Sequence, residues 1–249
     1  MGTWITDEQD CMLIQDTINM YDNSNMLCNA KIDEGMALYI YGDTLSFQKR
    51  YYSSRTNYEK LYIDRYDLKI DILNDTFIYA RPVSNLSKEF FKNRKQLRFR
   101  RQELAIDSSL KFEKIVFHTT ECFGTCNVYH LQVDSSKMFK LHRQLVYSKV
   151  IGIPMDTAIQ GYFTGQLNDR QFAKLLQALA TSNIRTLKMN DATCCDGSIS
   201  TIIVYFNGQR RYFKTMFPPT IANRLIGTLY EICENSDGTK TNAAFKLED

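Results

Sequence analysis

The chain has 249 residues, of which 44% are hydrophobic and 24% are charged, and its formal net charge is +3 at pH 7. These values are typical of a folded globular protein and exclude a disordered chain. A charge this mild does not indicate nucleic-acid binding, and no apolar run approaches the ~18 residues of a membrane-spanning helix. We therefore expect no nucleic-acid partner and no transmembrane segment.

The first half of the sequence is predicted to be a meander of short strands. Its residues alternate with a period of two, so that Met36, Leu38 and Ile40 share one face of a strand. Similar stretches recur up to residue 100, with a more polar interruption at 86–93 that favours a helix or an irregular segment. This pattern, with 15 Tyr and 15 Phe in the chain, favours an antiparallel β barrel or a curled sheet.

The strand pattern pauses near residue 107, and two domains are predicted, residues 1–107 and residues 108–249. Strands of the second domain are predicted at 114–117, 128–133, 139–147, 201–206 and 211–214. Helices are predicted after the cap residues Asn168 and Asp169, and after the Pro218-Pro219 pair. These elements predict an α+β domain with an antiparallel sheet and two helices, followed by a polar, frayed tail.

A cysteine motif, Glu-Cys-Phe-Gly-Thr-Cys, lies between two of the predicted strands. Cys122 and Cys126 are flanked by His118 and His130, which lie four residues away on either side. On a strand–turn–strand path the four side chains can converge, and two cysteines with two histidines are a known zinc set. The usual zinc spacing separates the two pairs by a longer loop, so a structural role is favoured over zinc: a disulfide that staples the turn or, equally, two free thiols buried by packing. A redox pair is a weaker alternative, because C-x-x-x-C is not the C-x-x-C of thiol oxidoreductases.

A second cysteine pair, Cys194 and Cys195, is adjacent in sequence. The chain has 7 cysteines, so at least one thiol stays unpaired in a monomer with internal disulfides only. If the fold brings both pairs together, their thiolates can hold a metal, and zinc is the only cofactor considered. The candidate metal ligands are Cys122, Cys126, His118, His130, Cys194 and Cys195.

The strongest charge feature is a basic run at residues 92–101, which contains no acidic residue. Its favoured interpretation is the solvated face of a strand, with Leu97 and Phe99 directed inward. The alternative is an anion-binding patch. The residues of this candidate patch are Arg94, Lys95, Arg98, Arg100 and Arg101.

Standard catalytic motifs do not occur in the sequence. It contains no H-E-x-x-H, no G-x-S-x-G and no glycine-rich phosphate-binding loop. With only 3 histidines, the chain also offers few general bases. We predict no catalytic residue, and an enzyme of unknown type remains the last alternative.

The second half resembles a bacterial family of domains of unknown function. The family is marked by C-F-G-T-C-P-x-Y before a strand, and later by G-x-[FY]-x-G-x-L before a helix. The matching residues here are 122–129, with Asn127 in place of the proline, and 161–167. The resemblance covers about residues 112–234 and implies no known activity. It implies an exported or lipid-anchored protein if a leader is missing, whereas a native start at Met1 implies the cytoplasm.

The first half resembles the lipocalin-like group, because Gly2-Thr3-Trp4 is similar to the G-x-W start of that group. The resemblance implies a barrel whose interior either holds a small apolar ligand or is filled by side chains. The resulting hypothesis is a non-enzymatic binding or structural module. The main alternative is a thiol-based metal-binding or redox module centred on Cys122 and Cys126.

Overall fold

The computed structural model describes residues 1–15, 24–29, 31–123, 126–144, 159–189, 192–194 and 196–249. Its described residues form two antiparallel sheets and three α-helices, which confirms the predicted α+β class. The chain divides into two compact units, Met1–Ile106 and Asp107–Asp249. Within the described residues, every helix is too short or too polar to cross a membrane.

Eight antiparallel strands close into a barrel in the N-terminal unit, each bonded to the next in chain order and the last to the first. The strands are β1 (Gly2–Ile5), β2 (Cys11–Ile14), β3 (Asn25–Cys28), β4 (Asp33–Tyr41), β5 (Thr44–Tyr52), β6 (Leu61–Leu73), β7 (Phe77–Pro82) and β8 (Leu97–Arg101). A cluster of buried side chains that includes Trp4, Phe47 and Phe99 fills its core. The structure therefore has the barrel rather than the curled sheet.

Strands β1 and β2 were not apparent from the sequence pattern, whereas β3 overlaps the alternating stretch predicted over residues 26–52. Strands β1 and β2 are each only four residues long, so alternation has no room to appear. The polar interruption between β7 and β8 contains the helix α1 (Asn85–Phe90). The hydroxyl of Ser84 caps this helix, because it accepts the backbone N–H of Ser87 at 3.3 Å.

The C-terminal unit is built on a seven-stranded antiparallel sheet of order β14-β13-β9-β10-β11-β12-β15. Its strands are β9 (Phe112–Thr119), β10 (Val128–Asp134), β11 (Met138–Gln144), β12 (Gly161–Gln166), β13 (Ser200–Phe206), β14 (Gln209–Thr215) and β15 (Thr239–Thr241). Two helices, α2 (Asp169–Ala180) and α3 (Asn223–Asn235), belong to this unit. The part of the third predicted strand after Gln144 lies outside the described residues.

Side chains of one sheet face pack against α3. Phe117 on β9 and Tyr129 on β10 both meet the ring of Tyr230 edge-on, with centroids 5.3 and 6.0 Å apart. Helix α2 begins at the predicted cap, where Asn168 and Gln171 bond each other's backbone N–H groups. Because side chains alternate along each strand, the neighbours of Phe117 and Tyr129 lie on the opposite face.

The prediction of a frayed tail is wrong. Strand β15 pairs with β12, and Leu247 is only 8% exposed because it packs on Val116 and Ile203. The apolar residues of the tail are sparse, so the local sequence reads as polar. Their partners belong to the sheet face opposite α3, and that face is assembled from strands far away in sequence.

Candidate functional site

The three histidines of the chain lie side by side on the face opposite α3. His118 on β9 is in register with His130 on β10, and His130 is in register with His142 on β11. Tyr162 on β12 is in register with His142 and continues the line. We call these four residues the ring row. Directly opposed residues of antiparallel strands have Cβ atoms about 5 Å apart, so the sheet holds the four rings in contact.

The rings of this row follow one another at contact distance. The rings of His130 and His142 are stacked at 5.5 Å with planes 10° apart, and those of His142 and Tyr162 at 4.2 Å and 11°. His118 is tilted by 58° against His130, with centroids 5.0 Å apart. Each of the four rings carries at least one polar atom, so the row places several hydrogen-bonding groups side by side on one face of the sheet.

Hydrogen bonds define the tautomers of two histidines. Nδ1 of His118 lies 2.7 Å from Nδ1 of His130, and Nε2 of His118 lies 2.6 Å from the carbonyl oxygen of Glu248. Because a carbonyl can only accept, Nε2 of His118 carries a proton. In the neutral pair, Nδ1 of His118 therefore accepts and Nδ1 of His130 donates.

The surroundings of the ring row favour neutral imidazoles. Burial lowers the pKa of His130, and the adjacent His118 and His142 lower it further, whereas Asp249 opposes them. Burial also lowers the pKa of His142. Near neutral pH these two rings are uncharged, as hydrogen-bond acceptors and metal ligands must be.

A segment at the end of the chain covers the ring row. We call residues 244–249 the cover segment. The ring of Phe245 meets Tyr162 edge-on at 5.0 Å, and the cover segment and the ring row line an open pocket of about 520 Å³. This volume lies in the range of small-molecule sites. The residues lining the pocket are His118, His130, His142, Tyr162, Ala244, Phe245, Lys246, Leu247 and Asp249.

Glu248 fastens the cover segment to the sheet. Its carboxylate accepts hydrogen bonds from the hydroxyl of Tyr205, from Nε of Arg210 at 2.9 Å and from Nζ of Lys114 at 3.2 Å. The Tyr205 hydroxyl and the two cations lower the pKa of Glu248 to about 2. The cover segment is thus held at Glu248 by an ionised carboxylate and at the preceding residue, Leu247, by a buried side chain.

The two cysteines of the motif are bonded to each other. Cys122 and Cys126 are joined by a disulfide, so a zinc set that includes them requires the reduced form. Cys194 is exposed, and its Sγ lies 3.4 Å from Sδ of Met216, whereas Cys195 lies outside the described residues. In the described part of the chain, no group of three or more His, Cys, Asp or Glu side chains is arranged to hold a metal ion.

The candidate anion patch meets acidic partners from the turn after β1. Arg94 forms ion pairs with Glu8 at 3.0 Å and with Asp10, and Arg100 forms an ion pair with Asp7. The basic run itself contains no acidic residue, so the acidic partners of its arginines come from a segment that the pairing of β8 with β1 brings near. Two further arginines lie over rings, with Arg98 above Phe77 and Tyr79, and Arg101 above Trp4. Among the described residues, Lys95 forms neither an ion pair nor a contact with an aromatic ring.

The sequence predicts that the N-terminal barrel either holds a small apolar ligand or is filled by side chains. The barrel interior is occupied by its own core side chains. A pocket of about 370 Å³ opens beside α1 and is lined by aromatic residues such as Tyr66 and Phe90, together with charged ones such as Lys31 and Glu89. The lining of this pocket is therefore mixed rather than purely apolar.

His142 and Tyr162 were missed as candidates, although the sequence carries a signal. His118, His130 and His142 are spaced by twelve residues each, which is compatible with successive strands of a meander. In each of the two hairpins, a histidine lies directly opposite the histidine twelve residues later in the sequence. The aromatic continuation at Tyr162 follows only from the register of β11 with β12.

Comparisons with known proteins relate one part of the chain to a family. Residues 113–218 match the model of a domain of unknown function, DUF6438, in agreement with the expectation of a C-terminal domain of unknown function. Neither a curated protein nor a solved structure matches the chain. The match includes the whole ring row but ends before the cover segment. The chain therefore contains a region similar to DUF6438 domains, at residues 113–218.

Proposed function

We propose that the protein is a non-enzymatic binding module whose binding site is the pocket between the ring row and the cover segment. One observation carries this proposal: all three histidines and Tyr162 occupy registered positions on four adjacent strands, beneath a fastened segment. A sheet can pack well without placing every histidine of the chain in one row, so this arrangement supports a shared role for the three side chains.

The lining indicates a small polar organic molecule as the ligand. The imidazoles of His130 and His142 and the Tyr162 hydroxyl offer donors and acceptors, while Phe245 and Leu247 offer apolar surface. Binding rather than catalysis is favoured because the sequence carries none of the standard catalytic motifs. The imidazole pair is also engaged, by its own shared proton and by the carbonyl of Glu248.

The experiment is a titration with a library of small polar aromatic and carboxylate compounds, followed by NMR of the imidazole side chains. Because the chain has only 3 histidines, every imidazole signal reports on this one site. The single Trp4 lies in the other unit, so its indole signal is an internal control. We expect a binder to shift all three imidazole signals and to leave the indole signal in place.

Two variants sharpen this test. His142→Leu removes the polar edge from the middle of the pocket and should weaken the binder at least tenfold, whereas Tyr212→Phe on the exposed edge strand should not change binding. The proposal fails if no compound shifts the imidazole signals, or if His142→Leu binds the same compound with unchanged affinity.

A second candidate, a transition-metal site, is favoured by the His118–His130 pair. Two nitrogens bound to one zinc at about 2.0–2.1 Å lie roughly 3.3 Å apart in a tetrahedral site, so a small separation of the pair would admit the ion. The present Nδ1–Nδ1 distance is 2.7 Å. The pair supplies two ligands, and water or a further group would supply the others.

Zinc and nickel titrations distinguish this candidate from the first. Metal binding at the pair should displace its shared proton, release protons in calorimetry and be lost in His130→Gln. Retention of metal affinity in that variant, or affinity no tighter than that of an exposed histidine, would eliminate the metal site and leave the organic-ligand proposal untouched.

A further inference from the structure

Two free cysteines of the N-terminal unit face each other across neighbouring strands. Cys11 on β2 is in direct register with Cys28 on β3. Both are reduced and buried, with exposed fractions of 2% and 1%. Neither cysteine belongs to the ring row, to the cover segment or to the lining of the pocket between them.

The strand pairing already satisfies the distance requirement of a disulfide. Directly opposed residues in antiparallel strands have Cα atoms about 4.5–5.5 Å apart, and disulfides span about 4.4–6.8 Å. Burial raises the pKa of the Cys11 thiol, and a hydrogen bond with the side chain of Cys28 raises it further. Linking them therefore needs side-chain rotation rather than movement of the strands.

The pair also lies away from the packed interior of the barrel. Met12 and Leu27, the neighbours in sequence and partners in register, belong to the interior core cluster. Because successive side chains of a strand point to opposite faces, Cys11 and Cys28 point outward. A bond between them displaces no side chain of that cluster.

We propose that Cys11 and Cys28 are a disulfide-forming site, and that the structure shows its dithiol form. The reaction partner is a small-molecule or protein disulfide. One thiolate attacks it, forming a mixed disulfide and releasing one thiolate of the partner. The second cysteine then attacks the mixed disulfide, forming the Cys11–Cys28 bond and releasing the second. The two protons of the cysteine thiols pass to the two leaving groups, so the cysteines are oxidised and the partner is reduced.

Burial sets the rate of this reaction. The raised pKa of the Cys11 thiol keeps the thiolate scarce in the folded barrel, and an oxidant reaches the pair only when the strands open. The bond consequently forms slowly in the native protein and readily during folding. Cys122–Cys126, which is closed in the other unit, shows that this chain accommodates a disulfide.

The test is the intact mass of the full chain after refolding in oxidised and reduced glutathione, then alkylation in denaturant without a reducing agent. Of the 7 cysteines, we expect alkylation of three only, namely Cys194, Cys195 and Cys233. A non-reduced digest should contain the peptide of Cys11 linked to that of Cys28. Five or seven alkylated cysteines, or a different partner for Cys11, would overturn the proposal.

Matched variants separate the pair from general oxidation. Cys28→Ser should leave four alkylated cysteines, because Cys11 then stays free. Cys233→Ser removes another buried, unpaired thiol and should leave two. Trp4 fluorescence verifies that the barrel is folded in each variant. If Cys28→Ser does not fold, the Cys233→Ser count and the digest of the unaltered chain still decide the outcome.

Discussion

His118 and His130 stand opposite each other on β9 and β10, with their Nδ1 atoms 2.7 Å apart. Nitrogens this close share a proton, and the carbonyl of Glu248 determines which ring carries it. The pair thereby connects the sheet to the cover segment. If both rings of the pair were protonated, two N–H donors would face each other.

We expect acid to destabilise the C-terminal unit in the range where histidine titrates. The pKa of His130 and of His142 is lowered in the folded state from an ordinary value of 6.5, so the unfolded state binds protons first. Stability is therefore complete above pH 6.5 and falls as the pH drops through the lowered values. Thermal unfolding followed by near-ultraviolet circular dichroism measures this dependence.

The N-terminal unit is the control for that pH dependence. All three histidines belong to the other unit, so Trp4 fluorescence should report no loss of stability in the same range. The variant His130→Gln should flatten the dependence. An unchanged slope in this variant would contradict the assignment of the effect to the ring row.

A second loss of stability is expected at lower pH, and it should depend on Glu248. The folded pKa of this carboxyl is lowered to about 2 from 4.5, so its contribution is present above pH 4.5 and is lost as pH falls towards 2. Glu248→Gln should remove this second transition without altering the histidine range. The imidazole NMR signal of His118 should show the detachment of the cover segment, and an unaffected signal in acid would count against the anchor.

Truncation of Leu247 should loosen the cover segment. Leu247→Ala removes a side chain that is 8% exposed, at a cost of about 2 kcal/mol, which is at the low end for buried leucines because the site is at the surface. Lys246→Ala is the matched control, since that side chain is 87% exposed and its loss should change the free energy by less than about 0.5 kcal/mol. Urea unfolding measures both, and equal effects would show that the segment is not packed.

Removal of the Cys122–Cys126 disulfide should destabilise the C-terminal unit modestly. The bond closes a short loop, and for about five residues chain entropy predicts roughly 2 kcal/mol. The double variant Cys122→Ser, Cys126→Ser should unfold at lower urea concentration and lose its sensitivity to reducing agent. Unchanged stability would mean that the bond is not structural.

The cap of α2 offers a local test of the fold. Asn168→Ala removes an acceptor 2.8 Å from the backbone N of Gln171 and should cost about 1 kcal/mol. Arg170 is exposed and lies two residues after Asn168, so Arg170→Ala should change the free energy of unfolding by less than about 0.5 kcal/mol. If the two variants unfold alike, the capping box does not stabilise the helix.

The sequence by itself determined the features that depend on neighbours in the chain. Alternation predicted a barrel or curled sheet for the first half and the strands at 201–206 and 211–214, and the cap residues predicted the helix after Asn168. The tertiary structure decided everything that depends on register. It placed His118, His130, His142 and Tyr162 in one row, and it brought Leu247 onto strands more than forty residues away. The register of the strands, and the choice of residues that cover a sheet face, depend on the burial of side chains across the whole sheet. A local segment of the sequence does not contain this information.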